Sequence, residues 1–188
     1  MLYKDAVLDV IPLDVIKELL EQYKLNVAEG VHGAAHWARV AENGLMICAT
    51  EKNVESADAV CIAFAFFHDI CRQNEHCDPN HGLRGAELMA TYKDRLNLTQ
   101  REFDLAYAAC SDHTDVIKND GDILISACMD ADRLDLGRVG IAPCAEYLNT
   151  EFAKRRNVIS VALERSIRDY CPKWMEDILL DCGIEISL

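Results

Sequence analysis

The stretch Ala63–Arg72, AFAFFHDICR, decides how the chain reads. It closes the segment Ser56–Ile70, SADAVCIAFAFFHDI, whose centre is apolar on every side of a helix. Such a helix has no solvent face, so it belongs in the middle of the fold, covered all round. Ser56 is the expected N-cap, with Asp58 in the first turn. At the other end His68 stands next to Asp69. Burying an ionised carboxylate is costly unless it is paired or binds a metal. A helix end that simply reaches the surface, with His68 as a cation favoured by the helix dipole, gives the same dipeptide. This stretch alone leaves both readings open.

Outward from that helix, the period is helical throughout. Only four prolines are present, and no segment alternates strictly over the length of a strand. In Val15–Tyr23, VIKELLEQY, apolar residues recur at helical spacing, so a helix is expected from about Leu13 to Tyr23. Gly30 and Gly33 break the chain before a helix from about Ala34 to Glu51. Arg72–Gly82, RQNEHCDPNHG, is a polar loop, and a helix from about Leu83 to Asp94 follows. Thr99–Glu102, TQRE, is a capping box that opens the next helix. Asn119–Asp122 reads as a turn before the helix carrying Ile123–Leu134, ILISACMDADRL. After Gly137 and Gly140, helices are expected over Pro143–Asn149, Thr150–Tyr170 and Pro172–Cys182. The expectation is an all-α fold, a single domain over residues 1–188 without linker or repeat.

Bulk properties narrow the function classes. A hydrophobic fraction of 51% over 188 residues is enough for a real core. The formal net charge of −13 repels a phosphate backbone, so a polymeric nucleic acid is an unfavourable partner. A small anionic substrate remains compatible if a metal or local arginines reverse the field. Nine cysteines, an odd number, with no CxxC among them, read as reduced thiols in a cytoplasmic protein rather than a disulfide framework. No signal-peptide pattern opens the chain, and no apolar run approaches the roughly 18 residues of a membrane span. Nothing in the sequence sets the oligomeric state. Phosphate-binding loops of the GxxxxGK[ST] or GxGxxG kind, a GxSxG elbow and HExxH are all absent.

The chemistry-bearing residues are ordered. All six histidines fall between His32 and His113. Five of them sit in HGAAHWARV (32–40), FFHDICR (66–72), NHGLRGAEL (80–88) and SDHTD (111–115), with His76 in the polar loop and DADRLDLGRVGI (130–141) beyond them. Imidazole and carboxylate together suit first-row divalent metals without any thiolate. His36 in HWARV, His68-Asp69 in FHDICR and an aspartate of DADRLD come in the order found in the HD-domain superfamily of metal-dependent phosphohydrolases, which the sequence resembles over about residues 30–140. HGLRGAEL and DADRLDLGRVGI further resemble a group of small bacterial HD-domain proteins.

That resemblance implies a helical bundle with the metal held between central helices, by His36, His68, Asp69 and Asp132. The ADRL match favours Asp132 over its neighbours Asp130 and Asp135, which are expected to cap or support. His81 and His113 stand where two-metal members carry extra ligands, the signature aspartate then bridging. Otherwise they line the pocket of a single metal. The implied cofactor is one or two divalent ions drawn from Mn, Fe, Zn, Ni, Co and Mg. The implied reaction is hydrolysis of a small phosphoester, nucleotides included, by a metal-activated water. Asp69 is expected to take its proton, and Arg72 and His113 to stabilise phosphoryl charge. Arg72, His81 and Arg133 are the expected substrate contacts, with an ion pair to Glu75 or Asp78 the plainer fate of Arg72. Arg39 and Arg133 are also placed to orient ligand carboxylates, and Arg84 and Arg138 are weaker candidates. His32 and His76 are expected to line the pocket or face solvent. Two other classes share the pattern: a di-iron oxygenase on the same fold, and a non-catalytic module that binds a nucleotide or metal.

Overall fold

Residues Ala57–Phe67 form a helix in which every side chain from Val60 to Phe67 is buried, as its unbroken apolar character requires. The structure, a computed structural model, describes residues 2–51, 54–118 and 121–184. Among these residues the α-helices run in the order α1 (Lys4–Leu8), α2 (Leu13–Gln22), α3 (Ala34–Cys48), α4 (Ala57–Phe67), α5 (His81–Thr91), α6 (Gln100–Asp112), α7 (Ile123–Leu134), α8 (Arg156–Ile167) and α9 (Lys173–Asp181), and there is no strand. The fold is all-α. No helix of the described residues is long and apolar enough to cross a membrane.

The central helix α4 touches α3, α5, α6 and α7. Around it, α3 packs on α7 and α5 on α6, while α8 and α9 lie against the outer side of α3. Small residues on α3 and α7, among them Ala38, Ala41, Ala127 and Ala131, are fully buried. They let the backbones approach closely, so the contact is by dispersion over many atoms rather than by a few large side chains. The core extends from Val7 and Ile11 through Phe64, Phe66 and Phe67 to Ile178 in one cluster. All nine cysteines are free thiols, with Cys48, Cys61, Cys110 and Cys128 buried.

Several expected boundaries hold and several move. The capping box is present in full: Thr99 accepts from the Glu102 N–H, and the Glu102 carboxylate accepts from the Thr99 N–H at 2.7 Å. Helix α7 coincides with Ile123–Leu134. Ser56 precedes α4 but has φ of 65° and makes no side-chain cap, so the expected capping interaction is replaced by a left-handed turn into the helix. Helix α5 begins earlier than expected, at His81. Pro143–Asn149 holds only a 3-10 turn at Ala145–Tyr147. The helix expected from Thr150 begins at Arg156. The physical reason is Asp130: its carboxylate accepts from the backbone N–H groups of Asn149 and Thr150, both at 2.7 Å, and pins that segment as a turn. Of the turn expected at Asn119–Asp122, Asn119 and Asp120 lie outside the described residues. Asp122 caps α7 by accepting from the Leu124 N–H at 2.9 Å.

Candidate metal centre

The end of α4 does not reach solvent. His68 and Asp69 are 0% and 1% exposed, which removes the surface-terminus reading of that dipeptide. They meet His36 from the first turn of α3, His81 from the start of α5, His113 from the end of α6 and Asp132 from the last turns of α7. These helix ends converge because α4 is packed on all of those neighbours. Phe64, one turn before His68, orients the rings directly. It stacks on His68 with centroids 4.8 Å apart and meets His113 edge-on at 5.9 Å.

The imidazoles form two pairs with the same wiring. His36 Nδ1 lies 2.8 Å from Asp135 Oδ2, and His68 Nδ1 lies 3.1 and 3.0 Å from the carbonyls of Phe64 and Ala65. His81 Nδ1 lies 2.7 Å from the Asp78 carbonyl, and His113 Nδ1 2.8 Å from that of Cys110. Each of those partners can only accept, so each Nδ1 carries a proton and each ring turns its Nε2 to the site. The Nε2 atoms of His36 and His68 are 3.0 Å apart, as are those of His81 and His113.

Asp69 stands between the pairs. Its Oδ2 is 3.5 Å from His36 Nε2 and 3.7 Å from His68 Nε2. Its Oδ1 is 3.0 Å from His81 Nε2 and 3.8 Å from His113 Nε2. One oxygen therefore serves each pair, and Oδ2 is buried without a hydrogen bond. Asp132 Oδ1 closes the first pair, 3.5 Å from His36 Nε2 and 3.9 Å from His68 Nε2. The contacts join acceptor to acceptor, so a cation has to occupy them, either protons or metal ions. The donor groups His36–His68–Asp69 and Asp69–His81–His113 are each compact and buried enough to hold a metal ion. Nitrogen and oxygen donors with the outward ring nitrogen tied to an acceptor are what metal sites of this class require.

The electrostatics agree. Burial opposes ionisation of Asp69, but the surrounding imidazoles outweigh it and hold its carboxyl well below the usual range. Asp132 is also lowered, because Arg138 first and then the histidines overcome its desolvation. Burial pushes His68 down to about 3, which keeps its lone pair available. His113 is fully buried too, yet it is raised, because its contact with Asp69 overcomes desolvation.

A scan against protein-family models found no match, and neither the curated proteins nor the solved structures gave one. The site therefore stands on its own geometry.

The remaining candidates divide clearly. Asp130 accepts from the backbones and side chains of Asn149 and Thr150, with all four donors between 2.7 and 3.1 Å, so its oxygens are committed to the chain turn. Asp135 accepts from Arg39 Nε at 2.7 Å and Nη2 at 3.0 Å as well as from His36, which makes it the group that orients His36. Arg72 is buried beside Asp69, its Nη1 3.6 Å from Oδ1. Its other donors go to the carbonyls of Asn74 and His76 rather than to the expected Glu75 or Asp78. Arg133 does not enter the site: its guanidinium donates to the carbonyls of Val116, Ile117 and Tyr147. Arg84 is likewise held by Asp78 and the Cys71 and Pro79 carbonyls. His32 is buried against Glu75, and His76 is exposed.

Sequence reasoning underrated Arg138, whose Nη2 lies 3.3 Å from Asp132 Oδ1 and 4.0 Å from Asp69 Oδ2. Its position in the motif DADRLDLGRVGI was the available signal. Gly82 was a second signal in HGLRGAEL. A Cβ there would lie 2.3 Å from the Cys110 carbonyl and 2.7 Å from the His113 ring. The lack of a side chain at Gly82 is what lets α5 and α6 close until their histidines meet.

Proposed function

We propose that the protein is a metal-dependent phosphohydrolase acting on a small phosphoester, with two divalent ions as its full complement. The reaction class rests on the resemblance to HD-domain phosphohydrolases. The observation that supports a two-ion centre is Asp69, whose two oxygens each face a separate pair of imidazoles. That arrangement suits a bridging carboxylate between two ions. His36, His68 and Asp132 would complete the ligands of one, and His81 and His113 those of the other. Bound there, the ions would acidify a water into a nucleophile at neutral pH and draw charge from the phosphoryl oxygens.

The chain's own residues do the rest. Asp135, clamped by Arg39, holds His36 in one ring orientation and one tautomer. Phe64 and the carbonyls beneath it do the same for His68. Arg72 braces the loop between Asp69 and His81, since it spans from the carbonyls of Asn74 and His76 to the His81 ring. Asp69 is held as an ionised carboxylate, with one oxygen turned to each histidine pair. The net charge of −13 disfavours a polyanion, and the small phosphoester is the substrate class that the resemblance to HD-domain phosphohydrolases implies.

The test is metal analysis of the purified protein, followed by Mn-, Co- and Ni-supplemented hydrolysis of a panel of nucleotides and simple phosphoesters. Turnover of a phosphoester, lost with the metal in Asp69→Ala, is the expected outcome. Full metal occupancy in Asp69→Ala would overturn the site. Iron with visible absorbance and no phosphoester turnover would overturn the reaction class in favour of oxygen chemistry.

A further inference from the structure

We propose that Arg138 is the residue that receives the anionic group of the substrate, a tetrahedral oxyanion such as a phosphoryl group. This rests on the metal centre proposed above and assigns its substrate-facing side.

Arg138 lies on the 3-10 turn Leu136–Val139 that follows α7. The turn is seated tightly on α8: a Cβ at Gly137 would lie 2.1 Å from Ser166 Oγ and 2.8 Å from Leu163 Cδ1. The Arg138 side chain is only 7% exposed, and Nη2 is fixed 3.3 Å from Asp132 Oδ1. The N–H of Nε and both N–H groups of Nη1 are buried without an acceptor. Leaving donors of a buried cation unfilled is costly, so an acceptor from outside the chain would complete the site.

The other buried arginines near the centre do not share this state. Arg39 is saturated by Asp135, Asp169 and the Tyr170 carbonyl, and Arg72 is engaged with its own loop. Arg138 alone of these combines unfilled donors with contact to the proposed ligands Asp132 and Asp69. Once cations occupy the histidine pairs, a guanidinium this close to them is repelled unless an anion lies between. A phosphoryl group fits that position: it offers several oxygens, and guanidinium N–H groups are matched to them in geometry and charge.

The experiment titrates inorganic phosphate into metal-loaded protein by calorimetry, with metal content measured on the same samples. Arg138→Gln is expected to weaken phosphate binding by about tenfold or more while retaining its metal. Arg138→Lys keeps the charge without the planar fork and is expected to recover part of the affinity. Arg168→Gln, at an exposed arginine on the rim of α8, should match the native protein. Native phosphate affinity in a fully metallated Arg138→Gln overturns the role of Arg138 and leaves the metal centre intact. Should Arg138→Gln not fold, native phosphate affinity in Arg138→Lys overturns it equally. Failure of the native protein to take up metal would instead overturn the centre on which the inference rests.

Discussion

His36 and Asp135 are joined at 2.8 Å, Nδ1 to Oδ2, in the buried interior, and the same carboxylate is clamped by Arg39 Nε at 2.7 Å. The pair is assembled across the packed faces of α3 and α7, from positions far apart in sequence. Its consequence is chemical. A carboxylate on Nδ1 fixes the ring, fixes the tautomer and raises the basicity of Nε2, the atom that faces His68 and Asp69.

Asp135→Asn tests that relationship. The amide keeps the shape but removes the charge that holds both His36 and Arg39. Metal affinity is expected to fall by roughly 10–100-fold, the usual effect of removing such a partner. Competition with a chelator measures it directly. Native affinity in this variant would show that Asp135 serves only to neutralise Arg39.

The two histidine pairs predict a stoichiometry. His113→Ala removes a donor from the Asp69–His81–His113 group and leaves His36, His68, Asp69 and Asp132 in place. Elemental analysis should find one ion fewer in His113→Ala than in the native protein. Asp69→Ala, which strips one oxygen from each group, should lose both. Equal metal content in native protein and His113→Ala would reduce His113 to a pocket residue beside a single ion.

Acid should destabilise the metal-free protein through His68. Burial lowers this imidazole from 6.5 to about 3, so the unfolded chain binds its proton first as pH falls. The stability from keeping His68 neutral is complete above about pH 6.5 and is lost as pH falls toward 3, an effect on the order of a few kcal/mol. His113 acts oppositely, because its raised value favours the fold below pH 6.5. Urea unfolding of chelator-treated protein should therefore show a flatter acid limb between about pH 6.5 and 3 in His68→Gln than in the native chain, whereas His113→Gln should lose the gain in stability that the native chain shows as pH falls to about 6.5.

The legible and illegible parts of this fold follow from where the information lies. Helix α7 and the Thr99–Glu102 capping box were readable because both are local, set by periodicity and by a reciprocal hydrogen-bond pair. The all-α class followed from helical periodicity along the chain, and the burial of α4 from an apolar run that leaves no solvent face, whereas that run did not decide whether the helix end reaches the surface. What escaped was set by contacts between distant segments. Thr150 looks like a helix start, yet Asp130, 20 residues earlier, takes its N–H and hydroxyl. Periodicity likewise does not divide the labour among Asp130, Asp132 and Asp135, since all three lie on or beside one helix that is mostly buried, and only the resemblance of ADRL favoured Asp132. Arg72 looked like the free cation because it follows Asp69 closely in sequence, but its own loop turns back to accept from it.

Gly82 provides a last prediction, and one that separates the two halves of the site. A methyl group there would fall 2.3 Å from the Cys110 carbonyl, backbone that cannot move aside without shifting α6, and 2.7 Å from His113. Gly82→Ala therefore forces α5 and α6 apart at the point where His81 and His113 meet at 3.0 Å. Overpacking of this kind costs about 1–3 kcal/mol, which lowers the unfolding temperature without abolishing the fold. The His36–His68 pair is built from α3 and α4 and does not depend on that contact. The expected outcome is a folded protein that holds one ion, with phosphoester turnover lost. Retention of two ions would mean that the separation of α5 from α6 does not govern the second group, and with it that His81 and His113 do not bind as a pair.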